Sequence, residues 1–216
     1  MKIAIIGATG RTGQPLVRRL LDDGHSLTVL VRDPAKLGAV AEQVKVVTGT
    51  STDVVALGEL LADAGADTEI GAVVSALGPS AKESDLHTRT ARALVDVMPR
   101  HGVWRFVGIS GAGVDVPADV KGLRDRAIST LIQKVGGKLA NDKIDEYGVF
   151  AASDLDWTLV RPPRLLNGNA TGKYQHDAHR PGRSTIRRAD LASFVADVAE
   201  QNLYIHQAPF VWNAPN

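Results

Sequence analysis

The 216-residue chain contains no cysteine. That excludes disulfide staples, thiolate nucleophiles and any cysteine-based metal site. No apolar stretch is long enough to span a bilayer. Neither charge dominates: 25 lysines and arginines face 24 aspartates and glutamates. A net charge of +1 argues against nucleic acid or a membrane surface as the main partner. Internal repeats, low-complexity tracts and linker-like shifts in composition are also missing, so one domain is expected over residues 1–216. The chain enters a strand at once, leaving no room for a signal peptide, and a cytoplasmic enzyme or binding protein is the expectation. The remainder, 44% apolar and 23% charged, is ordinary globular composition.

What is present is concentrated in KIAIIGATGRTGQPLVRRLLDDGHSLTVLVR, Lys2 to Arg32. Ile3–Ile6 is an apolar run too short for a helix, as in a parallel strand buried on both faces. Gly7, Gly10 and Gly13 follow at three-residue spacing. Leu16, Val17, Leu20 and Leu21 then keep helical periodicity until Gly24, and Ser26–Val31 is strand-like again. The unit places a helix N-terminus just beyond a strand's C-terminal end, where unpaired N–H groups and the helix dipole favour a pyrophosphate. Gly7 is expected to make the tight turn, Gly10 to admit the diphosphate and Gly13 to let the helix pack on the strand. Ala8, Thr9, Arg11 and Thr12 complete that cradle.

The end of the second strand bears on which nucleotide is bound. An acid there holds ribose hydroxyls, whereas an arginine accommodates a 2′-phosphate. The position is Arg32, and Arg11 in the glycine turn is expected to reach the same phosphate through forked, charge-assisted hydrogen bonds. NADPH is therefore expected over NADH; the alternative is two ordinary solvated arginines.

Along the rest of the chain, short apolar runs alternate with helical patterns. Pro34–Ala41 reads as a short helix and Val44–Val47 as a strand. Thr52 or Asp53 suits a helix cap before Val54, Leu57, Leu60 and Leu61. Ile70–Ser75 is a strand ending in small residues, Ser75, Ala76, Leu77 and Gly78, where backbone can pass close to the nicotinamide-side ribose. A helix runs from about Ser84 to Arg100, Arg105–Ser110 is a fifth strand, and helical stretches extend to Ser153. Leu155–Val160 leads into Arg161-Pro162-Pro163-Arg164. The fold class is α/β: a Rossmann-type doubly wound parallel sheet in three α/β/α layers, with a small C-terminal substrate-side extension. The polar stretch Leu166–Arg183 is expected to be a long loop and substrate lid, within a substrate-side segment of about 162–188. Ser184–Arg187 reads as a short strand, Asp190 as an acid stabilising a helix end, and Pro209–Asn213 as a last edge strand. Ser110 points into the expected crevice, or merely ends its strand.

GATGRTG, LTVLVRDPAKL, the small-residue end of the fourth strand, Ser110 and LDWTLVRPP occur in this order. Together they resemble the NmrA-like atypical short-chain dehydrogenase/reductases, most of all the members that reduce flavins and biliverdin. The resemblance implies NADPH across the sheet, Ser110 near the nicotinamide and a planar acceptor above it. The chain departs from the family at Thr50, where relatives often carry an acid near the adenine, and at Arg164, where flavin-reducing relatives carry histidine.

A further lack bears on chemistry. Ordinary members of the superfamily use Tyr-x-x-x-Lys as general acid or base. Tyr147, Tyr174 and Tyr204 are each followed four residues later by alanine. Lys143 falls where the family's lysine stands, but Leu139 replaces the tyrosine; Lys143 and Tyr147, sharing a helix face, are either a reversed substitute or a plain surface pairing. Without the tyrosine, a flavin or linear tetrapyrrole is the expected acceptor, since solvent can protonate the product and catalysis rests on holding donor and acceptor together. Candidate catalytic residues are Ser110 and Lys143. Candidate cofactor residues are Gly7 to Gly13, Arg32, Thr50, Ser75 to Gly78, Ser110 and Pro162. Pro163, Arg164 and Leu165 are the candidate acceptor contacts. Arg164 suits a phosphate or carboxylate, or is a solvated loop residue. His176 and His179 lack a third ligand, so no metal site is expected. The protein is expected to act as a monomer or homodimer. A dinucleotide-binding sensor without turnover is the second reading, and an epimerase, disfavoured by the missing tyrosine, the third.

Overall fold

In the computed structural model, residues 1–62, 70–80 and 82–215 are described. The chain alternates strand and helix: β1 (Lys2–Ile6), α1 (Gly13–Asp22), β2 (Ser26–Val31), a 3-10 stretch (Pro34–Gln43), β3 (Lys45–Thr48), α2 (Val54–Leu61), β4 (Ile70–Ser75), α3 (Leu86–Arg100), β5 (Arg105–Ile109), α4 (Leu123–Ala151) and β6 (Asp156–Val160). These six strands form one parallel sheet in the order β3-β2-β1-β4-β5-β6. The order reverses between β1 and β4, the switch point beyond which such sheets bind ligands.

The strands are apolar without alternation because both faces are covered. One core lies under α1 and α5 (Arg188–Glu200), the other under α2, α3 and the end of α4. Asp53 caps α2, accepting from the N–H groups of Val55 and Ala56 at 2.9 and 3.4 Å. The N-terminus of α3 is capped from another helix: Asp142 of α4 accepts the N–H groups of His87 and Thr88 at 2.9 and 2.8 Å. The 29-residue α4 is two helical pieces joined at Gly137, whose φ is +50°.

Two sequence expectations need correcting in the C-terminal third. Leu166–Arg183 is not a structureless loop, because it contains β8 (Tyr174–Asp177). Its partner is β10 (Phe210–Asn213), paired antiparallel, so β10 is not an edge of the main sheet. It touches that sheet through a bridge between Phe210 and Arg161. A second small pair joins β7 (Arg164–Leu166) to β9 (Thr185–Arg187). Asp190 explains why the segment is ordered. Its fully buried carboxylate accepts from the Thr171 N–H (2.8 Å) and hydroxyl (2.9 Å), the Gly172 N–H (3.0 Å) and the Asn213 amide (2.7 Å). The acid does sit in the first turn of α5, but it is spent on pinning the loop.

Candidate active site

The glycine turn is built for close approach. At Gly7, with φ +81°, a Cβ would lie 2.8 Å from the Ala76 carbonyl, because Ala76 N–H donates to Ile6 O at 2.9 Å and brings the end of β4 against the turn. A Cβ on Gly13 would sit 2.0 Å from the Gly7 carbonyl oxygen. The third glycine thus lets α1 start directly on the turn's backbone, where the sequence suggests contact with the strand. Thr12 precedes the helix but makes no side-chain cap. Gly10 O takes the Gln14 N–H at 2.9 Å and Pro15 has none, so the donors this turn offers an anion are those just ahead of them, at Thr12 and Gly13. Ala8 and Thr12 are buried, while Thr9 and Gly10 are half-exposed at the crevice. Both the uncapped turn and the glycine cradle fit a dinucleotide's pyrophosphate.

On either side of this turn stand the other candidate cofactor residues. Arg32 is exposed just past β2. Gly49 N–H donates to Val31 O at 2.9 Å, which sets Thr50 beside that strand end. Among the described residues no acid pairs with Arg11 or Arg32. Arg11 instead approaches Arg188: burial, then the Arg11 charge, hold the Arg188 guanidinium below its usual range. Helices α1 and α5 run parallel, tied near their C-terminal ends by Arg19 to Asp197 (3.3 Å) and Glu200 (3.5 Å), so both arginines stand at the crevice end. Across the switch point, Ser75 accepts from Leu77 N–H at 3.4 Å, and Gly78 is open on every side.

Ser110 follows β5 directly. Its N–H donates to Val160 O at 2.7 Å, whereas its buried hydroxyl has no partner among the described residues. Lys143 approaches from α4. Its ammonium donates to Ile109 O (2.8 Å), to His87 Nδ1 (2.8 Å) and to Glu146 Oε2 (2.9 Å). It is paired with Glu146, and Tyr147 instead packs edge-on against Trp157 at 5.8 Å. No signal in the sequence joins His87 to Lys143, because the contact spans two helices. Burial raises the Glu146 carboxyl, but the neighbouring Lys143 charge brings it below the usual carboxylate range.

Beyond β5 and β6 a cavity of about 860 Å³ opens between Gly111–Gly113, Pro162–Arg164 and Pro181–Thr185. Pro162 O accepts from Ala112 N–H at 3.0 Å and closes the floor. Of the three candidate acceptor contacts, Pro163 and Arg164 line the cavity. Leu165, the third expected contact, packs against the α1/α5 core, since neighbouring side chains on a strand point to opposite faces. Arg183, on the strand segment that pairs beside Arg164, joins the site, and neither arginine pairs with an acid among the described residues. The wall is held by a residue that nothing in the sequence singles out. Arg161 is fully buried and donates to both Asp119 oxygens (2.7 and 2.6 Å), to Val114 O (2.8 Å) and to Ala208 O (2.7 Å). Its guanidinium lies 3.7 Å from the Phe210 ring centroid.

His176 and His179 do not converge: His176 stacks on Phe194, 4.8 Å between centroids, and reaches the Tyr204 hydroxyl. Asp23, His25 and Glu200 do come within 4.8 Å of one another, but Arg19 already supplies their cation.

An alternating parallel sheet, an uncapped glycine turn at its switch point and a cavity beyond β5 and β6 define a dinucleotide-binding α/β protein. The profile of a family described as NAD(P)H-binding matches residues 7–202, and the chain belongs to that family. The uncharacterised protein YwnB of Bacillus subtilis is 27% identical over 209 residues, covering 93% of this chain and 92% of that one. ChuY, an anaerobilin reductase from Escherichia coli O157:H7, superposes with a TM-score of 0.81 at 21% identity, covering both chains completely. SP1627 of Streptococcus pneumoniae, a candidate NADH-flavin reductase, gives a TM-score of 0.78 at 21% identity over 99% of this chain and 100% of that one. At such identities the superpositions define the fold. Among the described residues no helix is long and apolar enough to cross a membrane.

Proposed function

We propose that the protein is an NADPH-preferring reductase that passes a hydride to a flavin-like or other conjugated acceptor without a Tyr-x-x-x-Lys pair. The observation that carries this reading is the cavity beside Ser110, with its proline and glycine floor and two arginines on its rim that lack acidic partners. A planar acceptor suits that floor, and a phosphate or propionate suits Arg164 and Arg183. The names of ChuY and SP1627 agree with an acceptor of this kind. The uncapped α1 turn would hold the pyrophosphate, and Arg32 together with Arg11, with Thr50 beside the strand end, the ribose 2′-phosphate. Ser75 to Gly78, Ser110 and Pro162 would border the nicotinamide half. Bound there, the reduced nicotinamide supplies the hydride. The chain's own part is to align the two rings and exclude water.

NADPH oxidation with and without flavin mononucleotide tests the reading. Turnover should require the flavin. Arg164→Ala should raise KM for flavin mononucleotide by about 1–3 kcal/mol, the scale of a lost hydrogen bond to a charged group, and leave riboflavin, which lacks the phosphate, unaffected. Ser110→Ala should lower kcat. Oxidation indifferent to the flavin, or equal losses for both flavins, would remove the acceptor assignment.

Cofactor preference is a separate expectation. NADPH should bind more tightly than NADH, and Arg32→Ala should narrow the gap by about 1–3 kcal/mol in titrations. Equal affinities in the unmutated protein would end the 2′-phosphate argument.

One observation favours the sensor reading. On α4, Leu123, Leu131 and Val135 are 88%, 61% and 79% exposed, an apolar stripe of the sort a protein partner covers. Tight NADPH binding with no turnover across a panel of conjugated acceptors would make that reading the better one.

A further inference from the structure

The Lys143 ammonium carries three N–H bonds, and all three are used: on Ile109 O, on Glu146 and on His87. Holding it there takes a carboxylate and an imidazole out of water. Glu146 is 5% exposed and His87 3%. Burying such groups is expensive, and packed apolar side chains would do as well for stability alone. Because His87 Nδ1 accepts from the ammonium, its proton is assigned to Nε2, a buried atom with no partner among the described residues. The backbone that carries the ring is fixed, since Asp142 grips the N–H groups of His87 and Thr88 and the Thr88 hydroxyl at 2.7 Å. The groups facing Lys143 are thus His87 from α3, Asp142 and Glu146 from α4, and the carbonyl at the end of β5.

That carbonyl belongs to the peptide leading into Ser110. The peptide is clamped on both sides: its oxygen by Lys143 and its N–H by Val160 O at 2.7 Å. The Ser110 hydroxyl has no hydrogen bond of its own, so the direction of this peptide sets where it points. We infer that His87 and Glu146 are positioning residues: they hold the Lys143 ammonium against the Ile109 carbonyl and so fix the backbone that carries the buried Ser110 hydroxyl at the crevice end of β5. On this assignment Lys143 acts through Ser110, in place of binding ribose or donating a proton itself. The inference rests on the reductase reading only in taking Ser110 to work at the reacting end.

Two readouts separate the inference from that reading. The first is an amide ¹H–¹⁵N spectrum of the ligand-free protein. The Ser110 cross-peak should move in His87→Gln and in the double variant Lys143→Met/Glu146→Gln, which leaves no orphaned charge in the interior. It should stay put in Glu59→Gln, an exposed site on α2. The second is kinetic. In both cluster variants kcat with NADPH and flavin mononucleotide should fall about tenfold to a hundredfold, the scale of a small misplacement, while the NADPH dissociation constant is unchanged. A merely structural role would loosen binding and thermal stability along with kcat. An unmoved Ser110 peak, or a dissociation constant rising in step with the loss of kcat, overturns the inference. If the unmutated protein reduces nothing, the reductase reading fails and the spectrum still decides the positioning role.

Discussion

Gly13→Ala should abolish measurable NADPH binding and lower stability by about 1–3 kcal/mol or more, the usual penalty for overpacking. The added methyl would lie 2.0 Å from the Gly7 carbonyl oxygen and 2.9 Å from the Ala8 carbonyl. Those are backbone atoms of the same turn, so no side-chain rotation can relieve the clash. The turn must open, and the first-turn N–H groups of α1 then lose their common aim. Gly24→Ala is the matched control. Its φ of +80° penalises alanine by about 1–2 kcal/mol, but nothing lies within 4 Å of the new methyl. It should therefore be destabilised and still bind. Thermal melts and fluorescence titration of NADPH check both. Binding retained in Gly13→Ala would mean that the dinucleotide sits elsewhere.

Arg161→Met should cost about 1.5–3 kcal/mol in urea unfolding, because it takes both guanidinium bonds from a buried carboxylate. The Asp119 side chain is only 6% exposed and would keep only Lys121, at 3.4 Å, and the Val116 N–H, while the Val114 and Ala208 carbonyls lose their donor. Such a loss is a sizeable part of the stability of an ordinary domain. The double variant Arg161→Met/Asp119→Leu should recover part of it by removing the under-paired carboxylate, but not all, since the two carbonyls stay unpaired. Lys121 keeps Asp115 at 2.5 Å, so the Gly111–Lys121 wall loses one of two anchors. Acceptor KM should therefore rise in Arg161→Met at temperatures where the protein is still folded. A change under 1 kcal/mol, roughly the worth of an ordinary hydrogen bond, would show that water reaches Asp119.

The strand–turn–helix opening, the parallel sheet and the cap at Asp53 are local matters. An apolar run of four or five residues, a glycine where φ must be positive and an acid two residues before a free N–H each act within one or two turns of chain. They can be read in order from the sequence; alternation and right-handed crossovers imply a doubly wound parallel sheet, and the structure supplies its order, β3-β2-β1-β4-β5-β6. Arg32 and Arg164 were legible for the same reason: each immediately follows, or lies a few residues beyond, a recognisable strand end.

What the sequence hid are contacts between residues far apart. Lys143 and His87 are separated by 56 positions and Arg161 and Asp119 by 42, and Asp190 seizes Thr171 from 19 residues away. In sequence these are ordinary charged residues at unremarkable spacings. The segment around β8 reads as loop because YQHD has no apolar run; its partner β10 lies 33 positions further on, Tyr174 against Asn213 at one end and Asp177 against Phe210 at the other. By itself the sequence determined the α/β class, the nucleotide turn and the crevice's place beyond the strand ends, because short-range backbone sterics and apolar periodicity dictate them. Only the tertiary structure decided which polar groups meet inside. A buried charge is tolerable solely where folding delivers its partner, and that pairing depends on how whole helices and strands come to lie against one another.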